Sequence, residues 1–246
     1  MRMAATELTA GTTRPGTAMG ETSEAGRGGR HGLLRLMAWL SPAFPVGGFS
    51  YSAGFESAVV EGYVSDGDHV QAWLGVLLSD GGLRNDAILL AEAHRCQSEG
   101  RGLDELIALA TALAGSAERH AEVTRLGEAF VRAASVWSHP VIEALAGPVP
   151  YSVAVGAVAA AHDVAPADAM AAFLHAQISQ YISVAIRLGV IGQTRGLAIL
   201  ASAEEPILAA ASEASRLSLD DLGSATVIAD MLSMRHEVQY SRLFQS

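Results

Sequence analysis

Histidine and cysteine are, beside carboxylates, the side chains that bind metal ions in proteins, and the chain has eight histidines and one cysteine. His94 and Cys96 stand two residues apart in a stretch that we predict to be helical, where side chains at that spacing point to opposite sides. His236 and Glu237 are followed by Tyr240, not by the second histidine of a zinc-binding HExxH sequence. We therefore predict no metal site within the chain, and leave open ligands assembled from distant helices or across a dimer axis.

The sequence also lacks the patterns of common catalytic sites. All 16 cationic residues are arginines, so neither a phosphate-binding GxxxxGK[ST] loop nor a Schiff-base lysine can form. There is no GxSxG sequence, and Cys96 has no neighbouring base. The acidic pairs Asp66/Asp68 and Asp220/Asp221 precede helical stretches, where carboxylates ordinarily cap the helix. We predict no catalytic residue.

The first conspicuous segment is residues 41–56, with the sequence SPAFPVGGFSYSAGFE. Its prolines and glycines fix an exposed backbone, while Phe49 and Tyr51 offer aromatic anchors to a partner. A serine can cap the following helix, which places Glu56 near the first or second turn of that helix. Two interpretations stay open for this segment: an ordered connection between helices, or a binding loop.

The second conspicuous segment is residues 231–246, with the sequence MLSMRHEVQYSRLFQS. Terminal segments usually fray and turn polar, but this one carries Tyr240, Arg242, Leu243 and Phe244. These residue types favour the energetic centres of protein interfaces. The pattern fits a last helix docked on its own core and a tail presented to a partner equally well.

Helices must position both segments, because the pattern from Leu33 onward is helical almost throughout. Alanine and leucine recur at spacings of three and four, and alternating β-branched residues are scarce. The clearest helix is predicted at 167–188, where Pro166 suits the first turn and Gly189 can close the end.

We predict an all-α fold: a single compact multi-helix domain of about ten helices over residues 33–246. Its first helix is predicted near 33–40 and its last near 224–242. A further helix is predicted to start at Asn85 and Asp86. Residues 1–32 are rich in glycine, threonine, alanine and arginine, have no phenylalanine, tryptophan or tyrosine, and are predicted to be a disordered tail.

Composition limits the class of partner. Half of the residues are hydrophobic, only 17 % are charged, and the formal net charge is −10. Such a chain leaves apolar surface exposed, which favours a protein partner or self-association. The excess of acidic over basic residues argues against nucleic acid and against an anionic membrane as the main binding partner. No window reaches the roughly 20 apolar residues of a membrane span, so no membrane association is expected.

Three sequence stretches carry a resemblance to a known family. Residues 41–56, RLGVIGQT at 187–194 and MRHEVQYSRLF at 234–244 resemble the conserved sequences of the urease accessory protein family UreF, and NDA at 85–87 fits between them. The resemblance covers about residues 33–246 in consistent order. Departures are mild: Phe55 stands where leucine is usual, and Gln245 where arginine is common.

The resemblance implies a non-enzymatic, all-helical, cytoplasmic protein that forms a homodimer. Members of this family bind the accessory protein UreD, also called UreH, and together recruit the GTPase UreG. The complex then supports GTP-dependent nickel delivery to apo-urease, and UreF is expected to regulate the GTPase step. Nickel and GTP are thus handled by the complex, and no cofactor is expected on this chain itself.

The resemblance also assigns partner-binding residues. Those expected to face UreG and urease are Pro45, Gly47, Gly48, Phe49, Tyr51, Ser52, Glu56 and Asp86. Those expected to face UreD or UreH are Arg187, Gln193, Arg235, His236, Tyr240, Arg242, Leu243 and Phe244.

Two rival classes are weighed beside this interpretation. A helical transcription regulator needs a basic recognition helix, which the sequence lacks. A helical small-molecule enzyme would need a pocket, for which Tyr181, His175 and Trp137 are the candidate lining residues.

Overall fold

The computed structural model describes the backbone of residues 22–246 and the side chains of residues 29–246. Over this range the chain forms α-helices and short 3-10 turns without a β-strand, so the all-α prediction is confirmed. The helices are α1 Thr22–Trp39, α2 Phe55–Val60, α3 Gly67–Asp80, α4 Gly82–Ser98, α5 Asp104–Ala112, α6 Ala117–Ala134, α7 Pro140–Ala144, α8 Tyr151–Ala161, α9 Pro166–Arg187, α10 Gln193–Ser202, α11 Glu204–Ala214 and α12 Val227–His236.

Three helix boundaries differ from the prediction. Helix α1 begins at Thr22 instead of near 33, so residues 22–32 of the predicted tail are part of a helix. Residues 1–21 of that tail lie outside the described residues. Helix α12 ends at His236 instead of near 242, because the chain turns back there towards α2 and α6. Helix α4 begins at Gly82, which places Asp86 one turn inside the helix and not at its start.

The core is built around α8, in which every side chain from Tyr151 to Ala159 is buried. Two glycines let neighbouring helices approach its backbone. A Cβ added at Gly156 would lie 2.3 Å from the Leu90 carbonyl oxygen of α4, and one at Gly127 of α6 would lie 1.8 Å from the Val149 carbonyl oxygen. Only glycine fits these close approaches, which bring α4 against α8 and α6 against the residues that lead into α8.

Helix α9 packs on the same core and confirms its predicted span. Pro166 occupies its first turn, and Gly189 follows it with a φ of 74°. Among the described helices α9 is long and apolar enough to cross a membrane. Its apolar side is instead buried in the protein, as for Met170, Phe173 and Leu174. The end of α9 carries the polar side chains that reach the 41–56 segment.

Carboxylates cap helices as predicted. The Asp66 side chain accepts hydrogen bonds from the backbone N–H groups of Asp68 at 3.0 Å and His69 at 2.9 Å, at the start of α3. Asp221 accepts from the Ser218 backbone N–H at 2.9 Å in a 3-10 turn at Leu219–Asp221. These acids serve local structure.

Candidate protein-interaction site

The two conspicuous segments lie against each other. We call residues 41–54 the loop and residues 237–246 the strap. The Ser52 N–H donates to the Ser246 carbonyl at 2.8 Å, and the Gln245 N–H donates to the Ser50 carbonyl at 2.8 Å. The Ser52 hydroxyl also donates to the Ser246 carbonyl. These backbone bonds join regions that the sequence separates by almost the whole domain.

The loop is shaped by glycines in the left-handed backbone region. Gly47 has a φ of 80° and Gly54 a φ of 78°. A Cβ added at Gly54 would lie 2.8 Å from the backbone of Ser233 in α12. Glycine at this position therefore allows the start of α2 to contact α12, which brings Glu56 next to His236.

Glu56 anchors the strap from α2. The residue is only 4 % exposed. One carboxylate oxygen accepts the Leu243 N–H at 2.7 Å, while the other accepts the Phe244 N–H at 3.1 Å and lies 3.0 Å from His236 Nε2. A buried carboxylate with this many donors is well satisfied, so Glu56 fixes the strap backbone in place.

The first turn of α6 holds the strap from a second side. His236 Nδ1 lies 2.7 Å from a carboxylate oxygen of Glu118, and the Arg242 guanidinium binds the other oxygen. In return the Glu237 carboxylate accepts the Ala117 N–H at 2.8 Å. An acidic side chain is favourable there, because the N-terminal end of a helix carries free N–H groups and partial positive charge.

The end of α9 supports both segments. The Gln180 side-chain amide donates to the Gly48 carbonyl at 2.7 Å and to the Tyr51 carbonyl at 3.2 Å. The Arg187 guanidinium donates to the Phe49 carbonyl and lies 4.3 Å from the centre of the Phe244 ring. Arg187 therefore links the loop and the strap directly.

A further ionic cluster lies beneath the strap and includes Asp86. Arg119 is 3.1 Å from the Asp86 carboxylate and 3.1 Å from that of Glu122. The Ser246 hydroxyl donates to Glu122 at 2.9 Å. Burial raises the pKa of Asp86, although Arg119 opposes this rise. Burial works against the charge of Arg119, but Glu122 and Asp86 raise its pKa.

Comparison with known proteins decides the family. The UreF family model matches residues 64–204. A protein of Rhizobium leguminosarum bv. viciae named urease accessory protein UreF is 56 % identical over 87 % of this chain and 96 % of its own length. Proteins of the same name from Agrobacterium fabrum and Mesorhizobium japonicum are 56 % and 50 % identical over the same shares. The chain belongs to the UreF family.

The site residues expected from the UreF resemblance divide into buried and exposed groups. Tyr51, Ser52, Glu56, His236 and Phe244 are buried in this chain and hold the loop and strap to the body. Asp86 is partly buried in the Arg119 cluster, and Gly47 and Gly48 shape the loop backbone. The exposed group consists of Pro45, Phe49, Arg187, Gln193, Arg235, Tyr240, Arg242 and Leu243.

Gln193, a predicted site residue, is not part of the loop, the strap or the helices that bind them. It begins α10, and its side chain makes no hydrogen bond to the loop or the strap within the described part of the chain. Arg235 is exposed and pairs with Glu61 of α2 at 2.6 Å. The remaining exposed residues belong to the loop, the strap or the end of α9, so most of the predicted residues lie close together in the structure.

Sequence reasoning missed Glu118, Arg119, Glu122 and Gln180. Glu118 and Glu122 are four residues apart on α6, a spacing typical of a solvated helix face, and no UreF-like sequence draws attention to them. Only the return of the strap to α6 shows that these acids face inward.

The pocket expected for an enzyme is only partly present. A cavity of about 430 Å³ lies behind the loop, and Tyr181, His175, Arg119 and Glu122 are among its lining residues. Trp137 is not part of it, since its ring packs 5.8 Å from that of Trp39. Across residues 29–246 no group of three or more histidine, cysteine or acidic side chains is arranged to hold a metal ion.

Proposed function

We propose that this UreF-family chain is a non-catalytic accessory protein of urease maturation, which binds UreD or UreH through the strap and recruits UreG. The complex would then deliver nickel to apo-urease in a GTP-dependent step. The joined loop and strap support this proposal. Buried contacts of Glu56 and Glu118 hold the inner side of this surface, and its outer side presents large exposed side chains. This is the arrangement of a preformed protein-binding surface.

The outer side of the strap supports contact with a protein partner. Tyr240 is fully exposed, Val238 is 84 % exposed and Leu243 is 56 % exposed. Val60 and Val238 line one shallow depression beside the Arg235–Glu61 ion pair. On α12 the exposed apolar surface continues through Ile228, Met231 and Met234. Contiguous apolar surface rimmed by charge is typical of interaction sites, so we assign UreD or UreH to this face.

The loop supports a second contact, with UreG and urease. Phe49 is 67 % exposed and Pro45 is exposed beside it, on a backbone held by Gln180 and Arg187. Because the chain has no lysine, a P-loop cannot form here, and GTP belongs to the partner. Nickel would likewise be bound by the complex and not by this chain alone. The contact between the loop and UreG would regulate the GTPase step. We also propose that the chain forms a homodimer in the cytoplasm.

Co-expression with UreD or UreH, followed by size-exclusion chromatography with light scattering, tests the proposal. We expect a defined complex to which UreG then adds. Replacing Tyr240 by alanine should weaken binding to UreD or UreH by at least about tenfold, as for an interface anchor, with the free energy of unfolding changed by less than about 0.5 kcal/mol. Deletion of residues 235–246 should abolish binding while the remaining helices persist by circular dichroism.

A matched control is Val136→Ala. Val136 is 76 % exposed but follows the far end of the 18-residue helix α6, whose first turn holds the strap. That helix is about 27 Å long at 1.5 Å per residue, so this variant should bind the partner normally. Unchanged binding by Tyr240→Ala or by the truncated chain would refute the assignment of the strap.

A further inference from the structure

Three tyrosines line the cavity of about 430 Å³ behind the loop, and their hydroxyl groups have no protein partner. Tyr51 of the loop and Tyr151 of α8 are each only 8 % exposed, and Tyr181 of α9 is partly buried. Within residues 29–246 none of the three hydroxyl groups makes a hydrogen bond to another protein group, and each keeps some accessible surface. A buried tyrosine hydroxyl normally has a partner, so these three are free to bind a ligand.

Aromatic packing holds two of these rings in place. The Tyr151 ring centre lies 5.6 Å from that of Phe130 and 5.5 Å from that of Phe173. The Tyr181 ring centre lies 5.8 Å from that of Phe55. Both hydroxyl groups therefore have fixed positions in the cavity wall. Polar groups that are already in place lose little conformational freedom when a ligand binds to them.

The charged residues of the cavity wall already have partners or face the solvent. Arg119 lies 3.1 Å from the Glu122 carboxylate and 3.1 Å from that of Asp86. Asp230, also part of the lining, is exposed at the surface. An ionised ligand would lose its hydration in the cavity without gaining a free counter-ion, which is costly. The arrangement therefore favours an uncharged ligand.

The remaining wall limits the ligand further. Leucine and valine side chains lie between the polar groups, among them Leu40, Val46 and Leu126. Burial raises the pKa of Tyr151 and of Tyr181, so both hydroxyl groups keep their protons at neutral pH and can donate to an acceptor oxygen. The cavity volume lies within the range of about 300–1,000 Å³ that is typical of small-molecule sites.

We propose that this cavity is a binding site for an uncharged small molecule that combines an apolar body with a carbonyl-type oxygen. The hydroxyl groups of Tyr51, Tyr151 and Tyr181 would bind its polar end, and the leucine and valine side chains its apolar body. This site goes beyond the proposed function, and ligand binding is measured on the free chain. The two proposals can therefore fail separately.

Three ring compounds of nearly equal size test the proposal, because they differ in charge: benzamide is neutral, benzoate is an anion and benzamidinium is a cation. Nuclear magnetic resonance of the full chain with carbon-13-labelled tyrosine follows the titrations, since the chain has only five tyrosines. Benzamide should shift the signals of the three cavity tyrosines and not those of Tyr63 and Tyr240, with a dissociation constant on the order of 1 mM. Each ion should bind at least about tenfold more weakly.

Two variants and a matched control test the hydroxyl groups. Tyr181→Phe and Tyr151→Phe each remove one hydroxyl and keep the ring, so each should weaken benzamide binding by about three- to tenfold. Tyr63→Phe removes a hydroxyl that is not part of the cavity and should bind benzamide like the parent chain. Circular dichroism checks that each variant folds.

Three results would overturn the proposal. Benzamide could leave the cavity tyrosines unshifted, or either ion could bind more tightly than benzamide. Equal affinity for benzamide in all three variants would show that the cavity hydroxyl groups do not bind the ligand. If one of the two cavity variants does not fold, the other variant and the three titrations of the parent chain still decide the question.

Discussion

Replacing Glu56 by alanine should release the strap before the domain unfolds. The change removes the acceptor of the Leu243 N–H at 2.7 Å, of the Phe244 N–H at 3.1 Å and of the His236 contact at 3.0 Å. Each buried donor left unpaired costs about 1–3 kcal/mol, and the change removes the acceptor from up to three of them. These costs overlap, because a released strap regains water. We therefore expect a loss of about 3–5 kcal/mol in docking, a factor of at least about a hundred.

Hydrogen–deuterium exchange at a fixed pH measures this loss. The amides of Leu243 and Phe244 should exchange at least about a hundredfold faster in Glu56→Ala, while amides in α8 keep their protection. Glu61→Ala is the matched control, because it removes the carboxylate that follows the last residue of the same helix and pairs with Arg235 at the surface. Such a pair is worth about 0–1 kcal/mol, which limits the control to less than about a tenfold change.

Equal exchange in Glu56→Ala and Glu61→Ala would refute the reasoning. The strap would then be held by packing of Phe244, and not by the buried carboxylate. Under the proposed function, Glu56→Ala should also lower urease activation in cells. The complex with UreD or UreH should persist at a reduced affinity, because Tyr240 and Leu243 are still present in this variant and are absent from the chain that lacks residues 235–246.

Two further predictions concern the body of the domain, and urea unfolding measures both. Gly127→Ala should lower the free energy of unfolding by several kcal/mol, because the added Cβ would lie 1.8 Å from the Val149 carbonyl oxygen. Gly75→Ala is the control: its Cβ would point into open space on α3, so it should raise the free energy of unfolding by up to about 1 kcal/mol. Because burial raises the pKa of Asp86 above its unfolded value of about 3.9, its contribution is present below about pH 4 and is lost as pH rises through the folded pKa. Asp86→Asn should therefore gain stability relative to the parent between pH 4 and pH 7, and a constant difference would contradict this.

Local sequence signals predict most of the helices, because proline and glycine mark the ends of a helix whatever the rest of the fold is. Pro166 and Gly189 bracket α9, and its predicted span of 167–188 differs from the observed one by a single residue at each end. The end of α12 carries no such signal. There the chain leaves the helix after His236, because the Glu237 carboxylate binds the Ala117 N–H of α6. That contact joins residues 120 positions apart and has no local counterpart.

The candidate site was predictable as two segments but not as one surface. The sequence pattern is equally compatible with a tail docked on its own core and with a tail presented to a partner. The strap has both properties, because Phe244 is buried and Tyr240 is exposed. The sequence predicts a helix start at Asp86 because acids favour first turns, yet the residue lies inside α4 and its partner is Arg119 on α6. Pairings between distant helices depend on how α4, α6 and α8 cross, which no short sequence pattern contains.

The contact between Ser52 and Ser246 has a consequence for the order of folding, because it joins positions 194 residues apart. The chain entropy lost in closing so large a loop is recovered only when the intervening helices are already packed. The loop and strap therefore assemble last on the folding pathway and open first when the domain is stressed. A chain whose α4–α8 crossing is incomplete cannot complete this surface, so a partner that binds it selects molecules that have finished folding.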